Sequence, residues 1–354
     1  MTYNYSDYSV FGMKSAGGRY ILASWYILVV LCSLLGDNMI LYLSIKHRAF
    51  RLHGLIVSFI QHIAVSDLLL SAIQLTPNVV SLLANSQVSS DVMCTVRFSV
   101  TFYGNTATLF LVSSLATCKV ILLKYPLRAI GWSSSAAHKV CAGIWFISLY
   151  IPAGYLIVDK DDVLFDFRTY NCMYGYTASV WKYLLPISAL TIVIPNMVIF
   201  VTSLMLLREA RRVARGAKKD VRWQGIMAVV LTAAVYSVSF VPYTVYCIAE
   251  PFVTRDPLKP GPFFIAFYRV SCAFVTFNIL SNFFIYSLTV TSFRNFLKKK
   301  FIAKASTYHQ ITLASPISQR NVSKPGTPKH GSGERPIQLI RQRAHPVLKV
   351  QTSI

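Results

Sequence analysis

The chain has few charged residues for its length, and acidic residues are especially scarce. Only 14% of its 354 residues are charged, whereas soluble domains average roughly 25%. Its 13 acidic residues stand against 35 Lys and Arg, which gives a net charge of +22. A nucleic-acid-binding protein would spread this basic charge over a soluble fold rather than between long uncharged runs. Its seven cysteines include no C-x-x-C pair, so neither a disulfide scaffold nor a metal site is indicated.

What the sequence does contain is a series of long apolar runs, and 54% of its residues are hydrophobic. A bilayer core about 30 Å thick requires about 20 residues of helix to cross it. The sequence therefore predicts an all-α fold, a seven-transmembrane helix bundle over 20–291 that follows an extracellular segment over 1–19. The predicted spans one to seven are 20–45, 55–83, 94–123, 140–158, 181–207, 226–249 and 262–291.

The distribution of Lys and Arg among the short loops predicts the orientation of the bundle. Basic residues concentrate in loops one, three and five and in the tail, whereas the fourth loop is acidic. Basic flanks are retained on the cytoplasmic side, so we expect a multi-pass plasma-membrane protein with its N-terminus outside and its C-terminus in the cytoplasm. Asn4, in Asn-Tyr-Ser, is then a predicted glycosylation acceptor.

Two segments are predicted after the seventh span. Residues 292–302 place apolar side chains at helical spacing beside three lysines, which predicts an amphipathic helix on the inner leaflet of the lipid bilayer. Residues 303–354 are rich in Ser, Thr, Pro, Lys and Arg, which predicts a disordered basic cytoplasmic tail. The last three residues have the spacing of a ligand for a PDZ protein.

Several polar side chains fall inside the predicted spans, where each one is costly and needs a reason. They are Asn38, Asp67, Asn105, Thr108, Asn278 and Asn282. One interpretation is that they only form hydrogen bonds between helices. For the carboxylate of Asp67 that interpretation is the weaker one.

Short motifs around these residues resemble those of one receptor family. Residues 36–38 resemble a Gly-x-Asn motif, and 63–67 resemble Leu-Ala-x-x-Asp. Residues 239–243 resemble Cys-Trp-x-Pro-Tyr, and 282–286 resemble Asn-Pro-x-x-Tyr. In this order and spacing, over about 20–301, they are similar to a rhodopsin-like (class A) G protein-coupled receptor.

The resemblance carries expectations about individual residues. It implies a disulfide between Cys94 and Cys172 and an extracellular ligand, with a heterotrimeric G protein and arrestin as inner partners. It implies no enzymatic activity and no cofactor other than a sodium ion as allosteric ligand, with Asp67 as the metal ligand. The implied sodium and polar network is Asn38, Asp67, Thr108, Asn278 and Asn282, and the implied activation switch is Lys119, Phe240, Pro242 and Tyr286.

The sequence also departs from the family pattern. It has Cys118-Lys119-Val120 where the family has Asp-Arg-Tyr, and Phe283 where the family has proline. Lysine lacks the planar multi-donor guanidinium of arginine and is a poor substitute at a bidentate site. A receptor-fold protein without ordinary G-protein signalling, acting as a scavenger or heteromer partner, is therefore an open alternative.

The ligand class is bounded mainly by exclusions. Thr101 stands where amine receptors carry aspartate, and Thr276 where opsins carry the retinal lysine. A peptide or a polar small molecule remains, with Arg97 and Arg269 pairing a carboxylate, or with both arginines merely reaching the headgroups. The predicted ligand-binding residues are Gln74, Arg97, Thr101, Phe102, Asn105, Tyr243, Tyr246, Glu250, Tyr268 and Arg269.

Two other membrane-protein classes are disfavoured. A secondary transporter would usually show internal repeats with broken helices, and the sequence shows no repeat. An intramembrane enzyme would need a catalytic pair or metal ligands. The sequence offers only His62 near Asp67, as a histidine without an evident partner.

Overall fold

The structure is a computed structural model that describes residues 16–46, 54–125, 132–158, 163–166, 170–174, 187, 189–214, 220–253, 262–289 and 294–295. Asn4, most of the predicted amphipathic helix and the basic tail lie outside these residues. Within 220–253 and 262–289, the side chains of Glu250 and Tyr286 are also outside the description.

Among the residues that the structure describes, seven helical segments are long and apolar enough to cross a membrane, which confirms the predicted all-α bundle. Spans one and three are single helices, α1 (Ala16–Lys46) and α4 (Asp91–Lys124), and so are span six, α8 (Asp220–Val253), and span seven, α9 (Pro262–Thr289). The other spans are interrupted helices. Span two is α2 (Gly54–Leu69), a π-helical turn (Leu70–Leu75) and α3 (Thr76–Ala84); span four is α5 (Ser134–Ser148) and α6 (Tyr150–Val158); span five is a π-helical turn (Ala189–Val193) and α7 (Ile194–Ala214).

Each of these two π-helical turns ends two residues before a proline. Proline has no N–H, and its ring clashes with the carbonyl four residues earlier in an α-helix. Just before Pro77, the N–H and the hydroxyl of Thr76 both donate to the carbonyl of Ser71, five residues back. The second turn precedes Pro195 in the same way. Each π turn inserts one residue and so changes which side chains beyond it face the bundle.

A short hairpin covers the end of span three that carries Cys94. Strand β1 (Val163–Asp166) pairs antiparallel with β2 (Asn171–Tyr174). Cys172 in β2 forms a disulfide with Cys94 in the first turn of α4, as the family resemblance implies. The disulfide therefore fixes the hairpin over the helical bundle.

A second link ties this hairpin to the loop after α3. Tyr170 and Asn85 both adopt left-handed backbone conformations, with φ of 55° and 53°. The buried Tyr170 hydroxyl donates to Asn85 Oδ1 at 2.6 Å. Asparagine tolerates this conformation better than most residues, which is why Asn85 can end α3 in it.

Spans one and seven pack closely at Gly36. A methyl group built on Gly36 would lie 2.7 Å from Cβ of Phe283 and 2.8 Å from its ring. Real Cβ atoms do not approach this closely. Phe283, the residue that replaces the family proline, therefore occupies space that only a glycine at position 36 leaves open.

We expect Gly36→Ala to destabilise the bundle by roughly 1–3 kcal/mol, because the added methyl overpacks this contact. Gly143→Ala is the matched control, since its Cβ would meet nothing within 4 Å. Thermal unfolding of the purified protein measures both variants. Equal stability of the two glycine variants would contradict the packing argument.

Candidate functional site

A cavity opens in the bundle near the hairpin, between spans one, two, three, five, six and seven. Its walls combine aromatic rings with uncharged polar side chains. Among the described residues no charged side chain lines it. The lining residues are Tyr26, Gln74, Thr101, Phe102, Asn105, Thr106, Leu109, Asn171, Ile187, Thr191, Ile192, Phe240, Tyr243, Tyr268, Cys272, Val275, Thr276 and Ile279.

Six of the ten predicted ligand-binding residues line this cavity, namely Gln74, Thr101, Phe102, Asn105, Tyr243 and Tyr268. Tyr246 lies behind the wall, because its ring packs on that of Tyr268 with centroids 4.6 Å apart. Arg269 is half-buried and is not among the lining residues. The remaining predicted residue is Glu250, whose side chain is outside the description.

Arg97 is not a cavity residue either. Its side chain is fully buried, with 0% exposure. One terminal nitrogen donates to Ser89 Oγ at 2.8 Å, and the other donates to Asn78 Oδ1. The prediction that Arg97 faces the ligand is wrong, and so is the alternative that it reaches the headgroups. Its buried hydrogen bonds instead connect the ends of spans two and three near the disulfide.

The sequence reasoning missed the contribution of spans one and five to the cavity. Tyr26 enters from α1, and Thr191 and Ile192 enter from the π turn before Pro195. Tyr26 could have been found, because it lies seven residues before Ser33 and 11 before Asp37 on one face of a helix. The residues of span five could not, because the π turn changes their facing direction.

The half of the bundle away from the hairpin holds a buried polar network centred on Asp67. The carboxylate is 1% exposed, and it accepts a hydrogen bond from Asn282 Nδ2 at 2.6 Å. The same amide nitrogen lies 3.3 Å from the hydroxyl of Tyr236. Thr108 donates to Ser66 Oγ at 2.8 Å, and Ser66 in turn donates to the carbonyl of Gly104 at 3.0 Å. Spans two, three, six and seven therefore meet here.

Asn38 does not belong to this network, and the prediction that it does is wrong. Its side chain is exposed and donates to the carbonyl of Leu34 at 2.6 Å. The buried residue is its neighbour Asp37, which accepts a hydrogen bond from Ser33 at 2.6 Å. Asp37 interacts electrostatically with Asp67. Adjacent helix positions are about 100° apart, so a shift of one residue exchanged a lipid-facing position for an inward-facing one.

Several buried polar atoms around the two aspartates have no hydrogen-bond partner among the described residues. Both side-chain polar atoms of Asn278 and the Oδ1 of Asn282 are in this group. So is the hydroxyl of Ser71, one helical turn beyond Asp67. Unsatisfied buried polar groups are rare in folded proteins and usually mark an ion or water. Carboxylate, amide and hydroxyl oxygens together make a donor set suited to a hard cation.

Phe240 connects the cavity with this polar network. It lines the cavity, and its ring lies parallel to that of Tyr236, with centroids 6.2 Å apart. Tyr236 in turn contacts Asn282, the hydrogen-bond partner of Asp67. Pro242, two residues further along, lies inside the continuous helix α8. A change in packing at the cavity can therefore reach Asp67 through two rings and one amide.

The family's switch region at the inner end of span three is altered in this chain. Lys119 and Cys118 are both half-buried in α4. On span five, the Ser203 hydroxyl donates to the carbonyl of Ile199 in its own helix at 2.6 Å. On the surface of α7, Arg212 forms an ion pair with Glu209 at 3.0 Å.

The comparisons with known proteins agree with this architecture. A model of the 7 transmembrane receptor (rhodopsin family) matches residues 36–286, so the chain belongs to that family of receptors. It is accordingly a multi-pass membrane protein of a non-enzyme class.

One relative is the human uracil nucleotide/cysteinyl leukotriene receptor, with 21% identity over 235 residues. The match covers 66% of this chain and 63% of the relative's length.

Proposed function

We propose that this chain is a receptor of the plasma membrane that binds an extracellular small molecule in the cavity and signals to intracellular transducers. The observation that carries the proposal is the contact path from the cavity through Phe240, Tyr236 and Asn282 to Asp67. An agonist that binds one packing of this path more tightly than another shifts the equilibrium between them. Outer binding and inner signalling are then coupled by that difference in affinity.

The lining of the cavity favours an uncharged ligand. The side chains of Gln74 and Asn105 supply amide donors and acceptors, and the rings of Phe102, Tyr243 and Tyr268 supply apolar surface. Nucleotides and leukotrienes, for which the human relative is named, carry phosphate or carboxylate groups that require cationic partners. Of the two arginines predicted to bind the ligand, Arg97 is buried and hydrogen-bonded elsewhere, and Arg269 is not among the lining residues. A neutral molecule with an amide or hydroxyl group and an apolar body suits the described residues best.

The polar network is proposed as a sodium site that acts on the same equilibrium. The unsatisfied oxygens of Asn278, Asn282 and Ser71 support it, together with the carboxylate of Asp67. Asp37 is a second buried carboxyl group beside Asp67, and its oxygens add to this donor set. A bound ion would stabilise whichever packing of spans one, two and seven keeps these oxygens together.

A heterotrimeric G protein and arrestin are the proposed inner partners, with the N-terminus outside and the C-terminus in the cytoplasm. A PDZ protein at the last three residues is a further proposed partner. The rival proposal is a receptor-fold protein without ordinary G-protein signalling, and the residues at positions 118–120 favour it. Lys119 keeps the positive charge of the family arginine without its planar guanidinium.

G-protein activation in cells that express the chain discriminates between these proposals. Screening neutral amides and alcohols beside uracil nucleotides and cysteinyl leukotrienes is expected to yield neutral agonists. Their potency should fall about tenfold in Gln74→Leu and Asn105→Leu, since each loses a hydrogen bond worth about 1–1.5 kcal/mol. Asn38→Leu is the matched control, because Asn38 lies outside the cavity. Agonists that act equally on all three variants would refute the proposed cavity.

The variant Lys119→Arg tests the rival proposal in the same assay. If the wild type is silent and Lys119→Arg signals, the chain is a receptor fold that does not itself signal through G proteins. If the wild type signals, the altered residues at 118–120 still support transduction, and the rival proposal fails.

A further inference from the structure

A continuous chain of hydrogen bonds joins span two to span four away from the cavity. The indole nitrogen of Trp145 lies 3.1 Å from His62 Nδ1, and His62 Nε2 lies 3.1 Å from His138 Nδ1. His138 Nε2 lies 3.2 Å from Ser58 Oγ, which lies 2.8 Å from Ser134 Oγ. His62 therefore has a histidine partner, although the sequence pattern suggested none. We call Trp145, His62, His138, Ser58 and Ser134 the histidine chain.

The indole group fixes the direction of each bond from Trp145 to Ser58. An indole N–H can only donate, so His62 Nδ1 must accept. A neutral imidazole has one donor and one acceptor, so His62 donates from Nε2 to His138 Nδ1. By the same rule His138 donates from Nε2 to Ser58 Oγ; between Ser58 and Ser134 either hydroxyl can be the donor. Both histidines are thus neutral, and both carry their proton on Nε2.

The histidine chain has no place for an additional proton. A proton on His62 Nδ1 would face the indole N–H of Trp145, and a proton on His138 Nδ1 would face the N–H of His62. If His62 instead carries its proton on Nδ1, His138 can donate to His62 Nε2, but the Nδ1–H of His62 then faces the indole N–H of Trp145. Any one added proton therefore places two N–H donors opposite each other, either between Trp145 and His62 or between His62 and His138. That hydrogen bond is then lost.

The groups packed around the two rings do not compensate an imidazolium charge. On span two, Asp67 lies five residues beyond His62 and is hydrogen-bonded to Asn282. On span three, the ring of Tyr103 packs on Trp145 at 5.1 Å, and Cys118 lies near Cys141 of span four. Lys139, the residue after His138, is exposed and of the same sign as an imidazolium. Within the described part of the molecule, neither histidine forms an ion pair with a carboxylate.

We propose that the histidine chain is a proton-sensitive lock between spans two and four. With both rings neutral, the lock connects α2 with the first turns of α5. Protonation of either ring releases it, so these spans separate more easily at mildly acidic pH. Histidine is the side chain whose charge ordinarily changes between pH 5 and 8. The Ser134 end lies at the first residue of α5, where a proton can enter from the aqueous phase.

Imidazole nitrogen resonances of the wild-type receptor, labelled on histidine and reconstituted in nanodiscs, test the lock directly. At pH 7.5 two of the histidines should show the Nε2–H tautomer with both nitrogens hydrogen-bonded, and each pair of signals should vanish in His62→Asn or His138→Asn. Lowering the pH to 5.5 should shift one pair to imidazolium and remove the hydrogen-bonded shift of the Trp145 indole proton. An Nδ1–H tautomer at His62, or an indole signal that does not respond to pH, would overturn the proposal.

Thermal unfolding supplies a second readout. Acidification from pH 7.5 to 5.5 should lower the Tm of the wild type by about 2–6 °C more than that of the double variant His62→Asn/His138→Gln. The amide side chains that this double variant carries at positions 62 and 138 can donate and accept hydrogen bonds, and they do not titrate. An equal response of the two proteins would refute the lock. If the double variant does not fold, the tautomers and the indole signal of the wild type decide alone.

Discussion

Cys172→Ser and Cys94→Ser are each expected to remove most of the receptor from the cell surface. The disulfide closes a loop with a sequence separation of 78, and removing a native disulfide typically costs about 2–5 kcal/mol. It also joins the hairpin to α4 above the cavity, and both sulfurs are buried with their residues. Surface labelling with an N-terminal epitope and thermal unfolding of the purified fraction measure the loss.

Cys32→Ser is the matched control for this experiment. Cys32 is a half-buried free cysteine in α1, so its replacement changes one sulfur atom without opening a cross-link. We expect its surface level and Tm to remain close to those of the wild type. Normal folding of both Cys94→Ser and Cys172→Ser would show that the bond contributes little, and the hairpin would then be held by the hydrogen bond from Tyr170 to Asn85.

The fold was predictable because length and hydropathy determine what can cross a bilayer. Every predicted span corresponds to a helical segment of the structure, with different ends. The ends differ because polar residues such as Arg19 and Lys46 continue a helix beyond its apolar part. The two π turns were signalled by Pro77 and Pro195, but a proline alone does not specify whether a helix kinks, ends or bulges.

The sequence predicted a buried polar network around Asp67 but named Asn38 as a member in place of Asp37. Asp67 stood out because an intramembrane carboxylate is costly. The same argument applies to Asp37 and more strongly than to Asn38, since a charge costs more to bury than an amide. A preference for the family's asparagine outweighed that physical signal. Cost of burial would have identified Asp37 from the sequence alone.

Contacts between side chains that are far apart in the sequence could not be predicted from the sequence. Arg97 looked like a ligand-binding cation, but its burial depends on Asn78 and Ser89 being adjacent in the fold. His62 and His138 are 76 residues apart and meet only because α2 packs on α5. Neither contact follows from periodicity within one helix. They arise from the packing of one helix against another, which single-helix patterns do not encode.

Sodium chloride is expected to raise the Tm of the purified wild type, whereas Asp67→Asn should not respond. A cation that binds only the folded state stabilises it by about 1.4 kcal/mol at tenfold excess over its Kd, which corresponds to about 2–5 °C. The reason is structural: Asp67 has two carboxylate oxygens, and the neighbouring oxygens of Asn278, Asn282 and Ser71 are unsatisfied. Choline chloride at equal ionic strength separates binding from charge screening.

Two further variants decide which aspartates hold the ion. Asp37→Asn should reduce the sodium response without abolishing it, because one carboxylate and the unsatisfied oxygens remain. Asn38→Ala is the matched control and should respond like the wild type, since its side chain is exposed and bonded to its own helix. An unchanged response in Asp37→Asn would remove Asp37 from the site. An equal response in wild type and Asp67→Asn would remove the sodium site itself and leave Asp67 as a hydrogen-bond partner of Asn282.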